Sequence, residues 1–209
     1  MAYVHNPVMA ITQQLRIDRP ARRLPQLFLG LALFGFGAAL QLKAGLGLDP
    51  WGVLHQGLSI QTGLSIGTWV ILMSLVVLVL WIPLRQRPGW GTVANTLTVG
   101  LFLDGSLWIL PTAHTLIWQI LMVIGAVVIT GLASGLYIGA DLGTGPRDGL
   151  MTGLARRGLS LRVARTGVEL TVLVAGWLLG GQVGVATVVF AVAIGPVAQV
   201  FIHRLMIRP

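Results

Sequence analysis

Residues 45–54 read GLGLDPWGVL, and residues 141–150 read DLGTGPRDGL, which is the same pattern in altered form. The second stretch begins 96 residues after the first. Further along, Gly63-Leu64-Ser65 matches Gly158-Leu159-Ser160 at an offset of 95 residues, and Gly100 matches Gly195 at the same offset. Because the offset changes by one residue only, we interpret the chain as the product of one internal duplication.

The composition is that of an integral membrane protein. Of 209 residues, 55% are hydrophobic and 10% are charged, with a mean hydropathy of +0.85, whereas a soluble domain carries about 25% charged residues. The apolar runs are uninterrupted and do not alternate with polar residues, which favours transmembrane helices over a barrel. The 28 glycines suit closely packed membrane helices. The absence of cysteine excludes disulfides and thiolate metal sites.

We predict an all-α membrane protein with six transmembrane helices, several near or below the ~20 residues that cross a bilayer. The predicted spans are residues 26–43, 64–84, 91–110, 115–139, 164–180 and 184–203. Residues 1–25 form a basic N-terminal segment, residues 26–110 the first three-span repeat, and residues 111–209 the second. We expect the first span to be an uncleaved helix rather than a signal peptide.

A short extra helix is predicted after the first span of each repeat. Asp49-Pro50 resembles an N-cap followed by proline at the first helical position, and Gly145-Pro146 repeats this arrangement. Together with Gly143, these residues are predicted turns that act as gates. Ser65 and Ser160 are expected to cap the spans that follow. The pattern does not decide whether the short helices enter the membrane or lie on its surface.

Arginines indicate the topology. They precede the first span, follow the second and sixth, and lie between the fourth and fifth, so all share one side if both termini are cytoplasmic. This pattern predicts a multi-pass protein of a bacterial inner membrane, and it explains the net charge of +8 without a nucleic-acid partner. Each repeat has an odd number of spans, so the second must be inverted. We therefore expect a two-fold axis in the membrane plane, as in many secondary transporters.

Two charged residues in the fifth span are candidates for substrate binding. Arg165 and Glu169 are one helical turn apart, and Arg162 shares their face. One interpretation is a static ion pair that neutralises two costly charges in the membrane. The alternative makes Arg165 an anion contact and Glu169 its counter-charge or a proton carrier.

Further binding candidates lie at the short helices. Arg147 and Asp148 open the second one, and a guanidinium beside a helix N-terminus suits a carboxylate or phosphate. The alternative is a topology-determining arginine and a capping aspartate. Trp51 stands at the equivalent position of the first short helix, and His55 follows it by four residues. A lone histidine there is also consistent with a solvated or capping group.

Asp104, in the third span, is a candidate for ion or proton coupling together with Glu169. A hydrogen-bonded aspartate between helices is the alternative. No metalloprotease, hydrolase or nucleotide-binding motif is present, and the four histidines are dispersed. We therefore predict no metal, no cofactor and no enzymatic activity.

The motifs at residues 47–57, 143–150 and 162–169 resemble the YczE group of bacterial membrane proteins, related in broad terms to the YitT family. The resemblance extends from about residue 26 to the end of the chain. It implies a multi-span inner-membrane permease, and it does not imply a particular substrate.

These observations predict a transporter for a small polar or anionic organic molecule, with alternating access around a site on the repeat axis. The first alternative is a non-transporting membrane protein that assists or regulates another system through helix contacts, and the second is a membrane-embedded enzyme. The expected partners are the lipid bilayer and a small-molecule substrate, and a homodimer is left open. A polar cavity between the repeats would favour transport, whereas packed and fully paired charges would favour the first alternative.

Overall fold

The computed structural model describes residues 19–207, which contain eight α-helices and no strand. Residues 1–18 of the predicted basic segment lie outside the described residues, and so does Arg208. The helices are α1 (Pro20–Ala44), α2 (Pro50–Thr62), α3 (Ile66–Trp81), α4 (Trp90–Ile109), α5 (Leu116–Gly139), α6 (Pro146–Ala155), α7 (Leu161–Leu178) and α8 (Val185–Leu205). Each predicted span and each predicted short helix has its counterpart, with shifts of a few residues at the ends.

The helices differ in their capacity to cross a membrane. By length and apolar composition, α1, α5 and α8 can each span a bilayer. The pair α2 and α3, bent by 114° at a short break, would make a fourth span if counted as one. By the same criteria of length and composition, neither α3 nor α7 qualifies as a span. Helix α3 has only 16 residues, and α7 carries three charged side chains. The six-span arrangement therefore remains a prediction.

The two halves of the chain are in extensive contact with each other. Helix α5 lies along α1, while α4 packs on α1 and α8 packs on α5. Each short helix packs against a helix of the other half, because α2 contacts α7 and α6 contacts α3. Helix α3 also packs on α4, but the equivalent pair α7 and α8 makes few contacts. The short helices are thus held inside the bundle from both halves.

The turns before the short helices have matching geometry. Gly47 and Gly143 both have positive φ, at 115° and 125°, a conformation that glycine adopts without a steric penalty. Gly47 lies against Gly184 at the start of α8, and Gly143 lies against Gly89 at the start of α4. Side chains at these glycines would meet backbone, so both turns depend on close approach of two main chains.

The hydrogen bonds of these turns match as well. The Gly91 N–H donates to the Leu142 carbonyl at 2.7 Å, and the Ala186 N–H donates to the Leu46 carbonyl at 3.0 Å. The donors are 95 residues apart in the chain and the acceptors 96. Both contacts satisfy an otherwise unpaired amide in the first turn of a long helix.

Two of the three predicted side-chain caps are present. Ser65 accepts from the Thr68 amide, and Ser160 accepts from the Val163 amide. Asp49 occupies the N-cap position of α2, but its side chain makes no capping hydrogen bond. The expectation of a side-chain cap was wrong at Asp49 because its carboxylate pairs with a guanidinium from the other half, described below.

The arginine pattern gives a testable topology. Reporter fusions at Pro111 and Gly181 are expected to read as external, and a fusion after Arg157 as internal, because every arginine-bearing loop then lies in the cytoplasm. Paired reporters that are active on opposite sides of the membrane provide the measurement. An external reading after Arg157 would contradict the inverted arrangement.

Candidate functional site

A cavity of about 820 Å³ lies between the two halves, and all eight helices contribute to its lining. Its size is within the range of small-molecule binding sites. The predicted binding residues Trp51, His55, Arg147, Asp148, Arg165 and Glu169 all line it. The predicted turn residues Asp49, Pro50, Gly145 and Pro146 line it too. Tertiary packing therefore brings together candidates that are more than 100 residues apart in the chain.

Both short helices begin at this cavity. Proline occupies the first turn of α2 and of α6, so each helix starts sharply where the lining begins. The unpaired N–H groups and the positive end of the dipole of each helix thus face the same space. A carboxylate lies at the start of each short helix. Asp49 is at the N-cap of α2, and Asp148 is in the first turn of α6.

Arg147 connects the halves at the centre of the site. Its Nη1 lies 3.6 Å from Asp49 Oδ2, and its guanidinium carbon lies 5.0 Å from the centre of the Trp51 ring. The Asp49 backbone amide donates to Gln41 Oε1 at 2.9 Å, which fixes the start of α2 against α1. The Arg147 and Asp49 side chains remain 27% and 18% exposed, so a ligand in the cavity can reach the pair. The arginine is held by charge and by a cation–π contact.

Two further residues lie beside this pair, an exposed Asp148 and a buried His55. The Tyr137 hydroxyl donates to Asp148 Oδ2 at 2.6 Å. His55 is 2% exposed, and its ring centre lies 6.1 Å from that of Trp51. The Trp51 indole nitrogen is buried and has no hydrogen-bond partner among the described residues, which leaves a donor for a ligand or water.

The face of α7 contributes the other charges. Arg165 Nε lies 2.9 Å from Glu169 Oε1, as the spacing of four residues predicts. Their side chains are 54% and 29% exposed, so the pair is not sealed inside the protein. Arg162, one turn before Arg165, is exposed and makes no ion pair within residues 19–207. Among these charged residues, Glu169, the farthest from the start of α7, is the least exposed.

The remaining lining includes an apolar wall. Phe34 from α1, Ile66 and Val70 from α3, and Val99 and Leu103 from α4 belong to one hydrophobic cluster and also line the cavity. A ligand can thus meet charged groups from the short helices and α7 and an apolar surface from α1, α3 and α4.

Asp104 lies elsewhere. Its Oδ2 accepts from Ser65 Oγ at 2.6 Å, and its Oδ1 accepts from the Gly67 amide at 2.9 Å. It lines a separate surface pocket with Trp108 and is absent from the lining of the central cavity. The carboxylate caps the start of α3 from α4, so the structure does not group it with the binding candidates. Gly143 also stays outside the lining and serves the turn against Gly89.

Sequence reasoning missed three lining residues that hold or face the charged groups. They are Gln41, Asn95 and Tyr137, which come from α1, α4 and α5. A polar side chain inside a long apolar run is the signal that could have identified them, because such residues are costly in lipid and face the protein interior. Within residues 19–207, no three His, Asp or Glu side chains are grouped closely enough to hold a metal ion.

Comparison with known proteins places the chain in a family. Residues 21–203 match the model described as "Family of unknown function (DUF6198)". The chain belongs to this family. It is 40% identical to an uncharacterized protein of Haemophilus influenzae over 85% of this chain and 82% of that one. It is 35% identical to the uncharacterized membrane protein YczE of Bacillus subtilis, over 80% of each chain.

The family membership confirms the resemblance to YczE drawn from the motifs. The YczE relative and the long apolar helices together identify the chain as a membrane protein in contact with lipid. A third relative, the uncharacterized protein YyaS of Bacillus subtilis, is 29% identical over 83% of this chain and 89% of that one. No solved structure matches the chain.

Proposed function

We propose that the protein is an inner-membrane transporter that moves a small polar or anionic organic molecule by alternating access. One observation carries the proposal: a cavity of about 820 Å³ between the halves collects ionisable side chains from both short helices and from α7. A packed accessory protein has no need of a space that holds partly exposed charges in a membrane. The names of the relatives assign no transport activity.

An inverted repeat of six spans is part of this proposal. Trp51 and Arg147 are 96 residues apart and contact each other, as expected of equivalent residues beside a two-fold axis. The matching glycine turns and their hydrogen bonds support the same relation. Binding sites of many secondary transporters lie where such repeats meet, at the ends of broken helices.

The two equivalent helix pairs that flank the cavity differ in the way that alternating access requires. Between α3 and α4, a Cβ added at Gly67 would overlap the Gly100 carbonyl, so these backbones are in direct contact. Between α7 and α8 the equivalent residues are Arg162 and Gly195, and a Cβ added at Gly195 would meet nothing within 4 Å. One side of the cavity is thus closed, and its counterpart is open.

The open side faces the cytoplasm in the proposed topology. Helix α7 begins just after Arg156 and Arg157, which the positive-inside rule places in the cytoplasm. Among the charged side chains of α7, Arg162 and Arg165, nearer this end, are more exposed than Glu169. We therefore assign the described conformation to an inward-open state, in which the α3–α4 contact is the closed outer gate.

Cysteine labelling tests alternating access without knowledge of the substrate, since the chain has no native cysteine. Ser74, which lines the cavity from α3, is replaced with cysteine, a substitution of similar size. A membrane-impermeant thiol reagent is then added to right-side-out or inside-out vesicles. A transporter exposes the cavity to each side in turn, so we expect labelling of Ser74→Cys in both vesicle preparations.

Two control variants define the sides. Thr112→Cys lies in the exposed connection between α4 and α5 and is expected to react only from outside. Arg87→Cys lies in the exposed connection between α3 and α4 and is expected to react only from inside. If Ser74→Cys reacts from one side only while both controls behave as described, the protein does not alternate, and the accessory function is favoured.

A further inference from the structure

We propose that the ligand of the central cavity is a zwitterion with an apolar body, of the amino-acid type. The inference rests on the proposed function and specifies its substrate class. It comes from the balance of charges that line the cavity, together with the apolar wall opposite them.

The lining is electrically balanced. It contains three carboxylates and three guanidiniums, although the whole chain has a net charge of +8. The carboxylates belong to Asp49, Asp148 and Glu169, and the guanidiniums to Arg147, Arg162 and Arg165. A site that selects a simple anion would carry an excess of positive side chains, because each carboxylate in a confined space repels it.

Two ion pairs leave one charge of each sign. Arg147 pairs with Asp49, and Arg165 pairs with Glu169. Within residues 19–207, Asp148 and Arg162 line the cavity without an ion pair. Asp148 accepts a hydrogen bond from the Tyr137 hydroxyl, which orients its carboxylate without supplying a positive charge. A ligand with an ammonium and a carboxylate would neutralise both residues at once.

The positions of the two residues set the orientation of the ligand. Asp148 is in the first turn of α6 next to Arg147, whose guanidinium lies over the Trp51 ring of α2. Arg162 is in the first turn of α7, at the open end of the cavity. The ammonium is therefore directed toward Asp148 and the carboxylate toward Arg162. The apolar part of the ligand packs on the wall formed by Phe34 and its neighbours, where burial of apolar surface adds to the affinity.

A matched set of ligands tests each charge separately. For the purified full-length protein, Kd is measured for phenylalanine, for hydrocinnamate, which lacks the ammonium, and for phenethylamine, which lacks the carboxylate. Leucine, isocaproate and isoamylamine form a second set. We expect each zwitterion to bind about 10- to 100-fold more tightly than either of its truncated forms, the range for loss of one charged hydrogen bond.

Variants assign the two groups. In Asp148→Asn, phenylalanine should lose its advantage over hydrocinnamate but keep its advantage over phenethylamine. In Arg162→Gln, the reverse is expected. Arg156→Gln serves as the matched control, because Arg156 is exposed and absent from the cavity lining. This control should retain the full preference for the zwitterion.

The outcomes separate this inference from transport. If hydrocinnamate and isocaproate bind as tightly as the zwitterions, or if no zwitterion of either set binds, the inference is wrong, and two-sided labelling of Ser74→Cys can still hold. If Ser74→Cys is labelled from one side only while the zwitterions still bind, transport is contradicted and the proposed binding site stands. An unchanged preference in both Asp148→Asn and Arg162→Gln would contradict the assigned residues.

Discussion

Replacing Gly195 with leucine is expected to leave the protein folded and to stop it from opening toward the outside. Gly195 faces open space in the described conformation, and leucine favours a helix more than glycine does by somewhat under about 1 kcal/mol, so melting temperature should not fall. Closure of the inner side requires α7 to approach α8, as α3 approaches α4 through Gly67 and Gly100. A leucine at this contact would prevent that approach.

The measurement is thiol labelling of Ser74→Cys in the Gly195→Leu background. Labelling from outside should slow roughly tenfold or more, which corresponds to a population shift of about 1.4 kcal/mol, while labelling from inside persists. Equal labelling from both sides would show that α7 and α8 do not form the inner gate.

Gly100→Leu is the matched variant at the equivalent position. Its side chain would meet the Gly67 carbonyl and the Ile71 side chain in a contact that is already closed. Overpacking against backbone cannot be relieved by a change of rotamer, so we expect a destabilisation of about 3 kcal/mol, at the upper end of the usual range. Melting temperature should therefore fall in Gly100→Leu and not in Gly195→Leu, although the two substitutions are chemically identical.

Glutamine at Arg165 or at Glu169 is expected to weaken ligand binding with little effect on stability. The exposures of the two side chains resemble those of surface pairs, which contribute at most about 1 kcal/mol. Within the cavity, loss of either charge upsets the balance of positive and negative side chains in the lining. The remaining Arg165 or Glu169 then attracts or repels the charged groups of the ligand. We expect Kd for phenylalanine to rise at least about tenfold in each single variant, with melting temperature nearly unchanged.

The double variant Arg165→Gln with Glu169→Gln decides between the two interpretations of this pair. A purely structural pair predicts unstable single variants and recovery of stability in the double variant, because removal of both charges leaves none uncompensated. A binding pair predicts that the double variant remains stable and binds weakly. Arg156→Gln controls for the loss of one arginine near the same end of α7. A stable double variant with unchanged Kd would exclude both residues from the site.

Local patterns in the sequence predicted the helices and most of the charged residues that line the cavity. Proline at positions 50 and 146 marked the starts of the short helices, and the spacing of Arg165 and Glu169 predicted their ion pair. These features depend on residues within one or two turns of each other, so their geometry follows from the periodicity of the helix. The repeated motif likewise indicated which segments are equivalent.

One error arose where a residue had two available partners. Asp49 was expected to cap its own helix, but it pairs with Arg147 from the other half. The alternative given for Asp104, a hydrogen-bonded aspartate between helices, fits its bonds from Ser65 and Gly67. At Asp49, an amide near in the chain and a guanidinium distant in the chain compete for one carboxylate. The distant donor becomes visible only after the helices are packed.

The sequence by itself determined the membrane character of this protein, its helices and the list of charged residues that must avoid lipid. Only the tertiary structure decided that most of these residues face one cavity, that Arg147 lies over Trp51, and that α3 contacts α4 while α7 stands apart from α8. The physical reason is the distance along the chain over which each interaction acts. Helix formation and insertion into lipid depend on short stretches of chain, whereas pairing of charges and contact between glycine backbones depend on how whole helices cross.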